Sequence, residues 1–468
     1  MTNRNRAFWA TTALLTTMLS ATAVYAQETT AAVRGRLVTS DGAPIGGAAI
    51  SLVHQPSGTT LNTVSDGSGT FDARGLRVGG PYLITVQADG YASERIDDVF
   101  LTVAETTRLT IDLESAAALD DVIVTGVRDV TANNSGVSSV LDREGVESVV
   151  SVNRDIRDLA RRNILVSQNT RGDGGISIAG SNPRTNRITI DGTQAQDDFG
   201  LNTGGTPTRR GPVSLDAIEQ FSVNAVPVDV ENGDFLGGAL DVVLRSGDND
   251  FSGSVFVNYL NDGMVGDSIR GVDLPSAITQ TNYGAFLSGP IWRDRLFFAL
   301  SYELYESADT TTTGPTGAGF ANSIRGLDQA AIDSIVNTFN TNYATDFDPG
   351  IIDRNKPILD EKYSAKLDWN INDNHRLGLT YRHALSELIQ RTNLNTGSAG
   401  LDSQWYLTGE TDDAYSGELN SQWSDAFSTQ LRVTFRDYER LQNPPSGQEF
   451  ADITVCSAPT SVNSGGDS

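Results

Sequence analysis

The side chains able to carry covalent or metal chemistry are few and badly spaced for it. His54, His375 and His383 belong to no H-E-x-x-H arrangement, so the two-histidine helix face of a zinc peptidase is missing. Cys456 is the single cysteine, which excludes an intramolecular disulfide and reads as incidental. Gly204-Gly205 and Arg209-Arg210-Gly211 hint at phosphate binding, but no lysine and no strand-to-helix turn accompany them, so they read as a mobile loop. Arg171-Gly172-Asp173 spells a cell-attachment tripeptide and reads as a turn in a Gly-rich loop. No catalytic residue, cofactor or metal ligand is therefore expected, and the chain reads as a non-enzyme. One segment offers a different chemistry, that of backbone pairing. Asp120-Asp121-Val122-Ile123-Val124-Thr125-Gly126 is a β-prone island in small, polar surroundings. A lone strand cannot satisfy its backbone donors, so it either joins a neighbouring sheet as an edge strand or waits for a partner that adds one.

The bulk properties say where such a strand would work. Arg4 and Arg6, the apolar stretch 7–19 and Val24-Tyr25-Ala26 form an export leader with its cut after Ala26. No later apolar run is long enough for a transmembrane helix, so a membrane is met, if at all, by a β-barrel. The formal charge of −25, more negative once Arg4 and Arg6 leave with the leader, repels nucleic acid, whose binding needs clustered Lys and Arg.

Four kinds of patterning follow the leader. Residues 27–114 alternate apolar and polar positions in short runs broken at Asp41-Gly42, Asp66-Gly67 and Asp89-Gly90, the pattern of a compact antiparallel β-sandwich. Residues 115–145 read as a linker holding the island at 120–126. Residues 146–247 are mixed α/β, with predicted helices over 153–160 and 215–220 and predicted strands over 175–180, 187–192, 221–223 and 237–247. From 248 to 468 strict alternation rules. Leu296, Phe298, Leu300, Tyr302 and Leu304 share one face and Phe297, Ala299, Ser301 and Glu303 the other, as in a strand with lipid on one side and a lumen, wet or lined with polar groups, on the other. The same division sets Tyr363, Ala365, Leu367 and Trp369 against Ser364, Lys366 and Asp368, and Leu431, Val433 and Phe435 against Arg432, Thr434 and Arg436. Short turns at 293–294, 372–374 and 424–426 alternate with long connections over 262–280, 307–360 (with a helix-like 327–339) and 389–411. Outer-membrane barrels keep short turns in the periplasm, so Trp292, Trp369 and Trp423, each beside a short turn, are expected in the periplasmic aromatic girdle.

These segments carry family resemblances. Gly35, the turn Gly42-Ala43-Pro44-Ile45-Gly46-Gly47-Ala48, Gly69-Thr70-Phe71 and Gly90-Tyr91 resemble the carboxypeptidase-regulatory-like domain, the non-catalytic accessory module of carboxypeptidases. The island resembles a TonB box. Ile188-Thr189-Ile190-Asp191-Gly192, Asp216-Ala217-Ile218-Glu219-Gln220-Phe221-Ser222-Val223 and Gly237-Gly238-Ala239-Leu240-Asp241 are similar to the plug of TonB-dependent receptors. Leu244-Arg245-Ser246-Gly247-Asp248 and Leu287-Ser288-Gly289-Pro290-Ile291-Trp292 resemble the plug exit and second hairpin of the Oar-like group, with Arg245 where that group usually has lysine and Ser288 where it usually has glycine. The glycines Gly237 and Gly238 are expected to let the backbone pass close to the barrel wall.

The resemblance implies a mainly β protein: an N-terminal β-sandwich, a small α/β plug (146–247) and the first strands of an incomplete transmembrane antiparallel β-barrel. Seven strands are countable where the family closes with about 22, so the chain is expected to be the N-terminal part of a longer protein. It further implies a Gram-negative outer membrane with the sandwich and box in the periplasm, membrane lipid around the wall, and TonB, with its inner-membrane energising complex, pairing with Asp121, Val122, Ile123, Val124, Thr125 and Gly126. The ligand class stays open between siderophore, saccharide and peptide. Two further functions stay open beside uptake: an Oar-like surface adhesin or assembly protein using loop 307–360, and carbohydrate binding by the sandwich.

Overall fold

The computed structural model describes residues 29–103, 106–116, 130–132, 138–169, 174–202, 204–225, 236–265, 268–269, 272–273, 279–343, 349–424, 427–444 and 455. The leader, the island at 120–126, the tripeptide at 171–173, the middle of the turn at 424–426 and Cys456 lie outside them.

The first module consists of β1 (Ala31–Thr39), β2 (Ala49–His54), β3 (Thr59–Val64), β4 (Thr70–Leu76), β5 (Gly79–Gln87), β6 (Glu94–Leu101) and β7 (Thr106–Leu113). They form two sheets, β3-β2-β5-β6 facing β4-β1-β7, and the inward halves of the alternating strands make one apolar core around Val33, Leu37, Leu52, Phe71, Ile84 and Ile111. The sandwich is not wholly antiparallel, as the sequence suggests it should be. β1 and β7 run parallel from Ala32 beside Thr106 to Thr39 beside Leu113. A parallel pair needs a crossover, and β2 to β6 together supply it. β8 (Val130–Ala132) then adds to the free edge of β7.

The second module carries β9 (Ser138–Leu141), α1 (Arg143–Ser148), α2 (Ile156–Ala160), β10 (Val166–Gln168), β11 (Ile176–Ile178), β12 (Arg187–Ile190), β13 (Thr193–Gln194), β14 (Ile218–Asn224) and β15 (Ala239–Leu244). Asp142 and Asp155 cap the two helices, their carboxylates accepting from Gly145 N and Arg157 N at 2.8 Å each. The sheet order is β13-β12-β15-β14-β9. Two described stretches of the segment read as a linker are therefore strands, β8 on the sandwich and β9 on this sheet. The helix expected over 215–220 is a single 3-10 turn, Leu215–Ala217; Ile218 to Gln220 belong to β14, because pairing with β15 outweighs the helical spacing of Leu215 and Ile218.

The third module is one antiparallel sheet of seven strands in chain order: β16 (Ser252–Asn261), β19 (Thr279–Trp292), β20 (Leu296–Thr310), β23 (Asn355–Asn372), β24 (His375–Gln390), β27 (Tyr406–Ser424) and β28 (Phe427–Asn443). It is not closed. Its long connections carry the small ladders β17 (Ser268–Ile269) with β18 (Val272–Asp273), β21 (Thr313–Thr316) with β22 (Asn322–Asp328), and β25 (Leu394–Asn395) with β26 (Ser398–Ala399), plus α3 (Gln329–Tyr343). The strands run further than the alternation suggests, so β20 and β23 shorten the long connection between them to 311–354.

The two faces separate as the pleat requires. On β20, Phe297, Ala299, Ser301 and Glu303 are buried against the second module while Leu300 and Tyr302 are exposed. Trp292, Trp369 and Trp423 are exposed on the outer face next to the short turns. Tyr283 lies nine residues from Trp292 on β19, about 30 Å along the strand and about 23 Å of depth at a 40° tilt, which matches the apolar band of about 25 Å. At that level a second aromatic row, Tyr283, Tyr302, Tyr363, Tyr381 and Tyr415, crosses the outer face, with ring centroids 6.5 Å apart for Tyr283 and Tyr302 and 4.8 Å for Tyr381 and Tyr415.

Candidate functional site

The place where these elements can do work is the contact between the second module and the concave wall. The second module's apolar core, built on Ile156, Leu159, Ile188, Ile190, Phe221, Val223, Leu240 and Val242, is closed on itself; the wall contributes Phe286 and Ala299 to it. Phe199 also packs 5.3 Å from Tyr438 of the wall, and the two bodies are otherwise tied by salt bridges, hydrogen bonds and cations over rings.

The contact has three charged groups. In the first, Glu303 of β20, fully buried, meets Arg154 at 3.9 Å, Arg210 at 3.6 Å and Lys362 at 3.8 Å, and Asp360 meets Arg210 at 3.9 Å and Lys362 at 3.4 Å. Arg154 also pairs with Asp216 at 2.8 Å and lies 3.6 Å over the Phe256 ring, Arg210 lies 3.9 Å over Tyr305, and Lys362 donates to Gly211 O. The second group centres on Asp191. Its carboxylate accepts from Leu244 N (2.8 Å) and from the Thr380 hydroxyl (2.9 Å) and pairs with Lys366 (3.0 Å), which itself donates to Leu244 O. Asp191 sits at φ 45°, at the end of β12, where an aspartate tolerates the left-handed turn into Gly192. In the third, Arg436 joins Asp412 of the wall to Asp198 and to Gln196 O, Arg382 pairs with Asp412 at 2.6 Å, and Arg440 pairs with Glu410 at 3.0 Å.

Ionic and hydrogen-bonded contacts of this kind can be exchanged for water at little net cost when both partners are wetted, whereas an apolar core cannot. The geometry therefore describes a body with its own core, held in a seat by exchangeable contacts.

Compared with known proteins, residues 32–114 match the carboxypeptidase regulatory-like domain and residues 243–466 the outer membrane beta barrel domain. The chain is 26% identical over 254 residues to the TonB-dependent transporter Oar of Myxococcus xanthus, covering 49% of this chain and 23% of that protein. Together these matches support a TonB-dependent receptor of Oar type in the outer membrane. It spans under a quarter of the length of that curated relative. Among solved structures it is similar to the outer membrane transporter YddB of Escherichia coli (TM-score 0.47, 13% identity, 66% of this chain and 40% of that one). A second is the siderophore receptor PirA of Acinetobacter baumannii (TM-score 0.44, 16% identity, 68% and 43%).

The residues that resemble a receptor plug all fall in this second module, and each acquires a position. Asp191 of the I-x-I-D-G strand ties the plug to the wall, a role its spacing did not disclose, since Lys366 and Thr380 are distant in sequence. Gly237 and Gly238 do not face the wall. A side chain on Gly238 would collide with Ile178 and one on Gly237 with Asn186, so their smallness serves packing inside the plug. Gly247 is the glycine that the wall requires: a Cβ there would lie 2.4 Å from Phe298 O and 2.7 Å from Gly289 O. Arg245, in place of the usual lysine, lies 3.9 Å over the Phe286 ring and donates to Asp216 O and the Ser252 hydroxyl, pinning the plug exit to the first strand. Residues 121–126 lie outside the described residues, so no structure attaches to the predicted TonB contact. His383 pairs with Asp413 on the outer face, His375 packs on Trp423 and His54 is buried in the sandwich; these three do not converge. Among the described residues no group of His, Cys, Asp and Glu assembles that could hold a metal ion.

Proposed function

We propose that the receptor imports a solute by TonB-driven displacement of the plug: TonB adds a strand to residues 121–126 and pulls the plug out of its seat. The observation that supports this reading is the plug's own apolar core, joined to the wall by ion pairs of Arg154 and Arg210 with Glu303, Arg210 with Asp360, Asp191 with Lys366 and Asp198 with Arg436. The reading divides the chain into leader (1–26), periplasmic sandwich (27–114), box-bearing segment (115–145), plug (146–247) and barrel (248–468), with membrane lipid around the outer face. The solute is a siderophore, a saccharide or a peptide, and the mechanism is mechanical work with no catalytic step. A surface-contact function is the second reading, favoured by α3, a helix of 15 residues exposed on the long outer connection.

Ile123→Pro in the full-length receptor tests the first reading. Proline removes a ladder donor and blocks strand addition, so energy-dependent uptake is lost while insertion and ligand binding persist. Undiminished uptake by this variant, with wild type still needing TonB, removes residues 121–126 from the mechanism.

A further inference from the structure

The N-terminal sandwich does not hang free below the barrel. Arg77, in the turn between β4 and β5, reaches into the periplasmic mouth with its side chain only 6% exposed. There its Nη1 donates to Gly247 O at 3.1 Å, its guanidinium stands 3.8 Å from both Asp248 and Asp368, and it lies 5.1 Å from the Phe297 ring centre. Asp368 belongs to the wall strand β23, and Gly247-Asp248 is the passage from plug to wall, so one side chain grips both. A second contact fastens the sandwich to the plug alone. The Gln220 amide, 2% exposed, donates to Leu101 O and accepts from Val103 N, both at 2.9 Å, which is the pairing an extra backbone strand would make. Around these grips Asn249 N donates to Pro56 O and Asn370 donates to the Thr59 hydroxyl. Above Arg77 a cavity of about 490 Å³ remains between sandwich, plug and wall, bordered by Lys366, Asp368, Arg376 and Glu418.

We propose that the sandwich is a second, inner closure of the lumen, bolted to the wall by Arg77 and to the plug by Gln220, and that a plug leaving its seat must first break the Arg77 contact. The proposal rests on the reading of the plug as a movable body. Its logic is geometric. The box lies in sequence between β7 and β8, both strands of the sandwich sheet, so a pull on it loads the sandwich and, through Gln220, the plug. Gln220 keeps sandwich and plug as one unit, and Arg77 is the charged contact that ties the sandwich to the wall, beside the neutral hydrogen bond of Asn370 to Thr59 and the contact of Thr29 with Glu418 and Arg432. Arg77 is thus a positioning residue, and its removal loosens the sandwich from the wall without touching the plug's core.

The test uses the full-length receptor in outer-membrane fragments whose periplasmic face is open, with every native cysteine, Cys456 among them, replaced by serine and a single reporter, Ser421→Cys. Ser421 is 4% exposed and lies on the wall beneath the sandwich, beside Asn370 and Arg376. The probe is a maleimide carrying a polyethylene glycol chain too bulky to pass a seated sandwich, read as a gel shift. Protection is expected with Arg77 in place, at least tenfold faster labelling with Arg77→Met or Asp368→Asn, and intermediate labelling with Arg77→Lys, which keeps the charge. Heat-modifiable migration must be the same in all four, showing an intact barrel. Equal labelling of wild type and Arg77→Met, whether both fast or both slow, overturns the bolt. The assay uses neither TonB nor ligand, so its failure leaves the Ile123→Pro result standing, and failure of that result leaves the bolt standing.

Discussion

At the scale of single residues the charged side chains fall into two classes, those that hold a shape and those that hold a seat. His54 belongs to the first. Its Nδ1 lies 2.7 Å from the Ser57 hydroxyl and its ring packs 5.0 Å from Tyr82 in the sandwich interior. Burial, reinforced by the Arg77 guanidinium nearby, pushes its pKa from 6.5 down to about 3. The folded form therefore binds its proton only below about 3 while the unfolded form binds it below 6.5, so stability is complete above 6.5 and falls as pH drops through that window. At pH 5 the loss is about 2 kcal/mol. Urea midpoints of residues 27–114, followed by circular dichroism, should fall between pH 7 and 5, and His54→Gln should flatten that fall; an equal fall in the variant assigns it to other groups. Glu219, on the plug near the sandwich turn, shows the opposite displacement, its carboxyl raised by burial.

At the scale of elements, what the sequence disclosed was whatever a local period writes. A strand alternates every two residues whatever its partners are, so the faces of β20, β23 and β28 and the tryptophans beside the turns were legible without coordinates. Long-range choices were not. The parallel pairing of β1 with β7, the recruitment of Ser138–Leu141 into the plug sheet, and the strand rather than helix at Ile218 to Gln220 are each decided by a partner remote in sequence. The same holds for Asp191, Arg77 and Gln220, whose types announce polarity but not address. The structure also sharpens the comparison of Leu300 with Ser301. Leu300 is 46% exposed on the lipid face, and arginine there should cost the full-length barrel about 2–4 kcal/mol. Ser301 does not face an open lumen: its hydroxyl lies 2.6 Å from that of Ser364 and it is covered by the plug. Ser301→Arg should therefore leave barrel folding near wild type, judged by heat-modifiable migration in lipid vesicles, while lifting the plug, judged by protease access to its loops. Equal loss of folded barrel from both variants would contradict the assignment of faces.

At the scale of the whole molecule, three bodies with different kinds of cohesion share one chain. Sandwich and plug each enclose an apolar core, the wall is held by its strand ladders, and the joints between bodies combine ion pairs and hydrogen bonds with a few apolar contacts such as Phe286 and Ala299. Cohesion of this kind predicts an order of release. Denaturant and ionic strength weaken the joints before they reach the cores, because a wetted ion pair regains its solvation and a wetted core does not. In planar bilayers the full-length receptor should thus be electrically closed in buffer, open in moderate urea, and close again when the urea is washed out, with the barrel folded throughout. Glu303→Gln should lower the urea needed, since it leaves Arg154 with Asp216 and Arg210 and Lys362 sharing Asp360, and removes one partner of a buried cluster, a change that costs about 3–5 kcal/mol. Pairing that change with Lys362→Met, which removes a cation together with the carboxylate, should recover part of the loss, because the remaining charges are again nearly matched. Conductance that appears only with loss of heat-modifiable migration would mean that plug and wall unfold as one body, and the ionic seat would then be a feature of packing rather than of release.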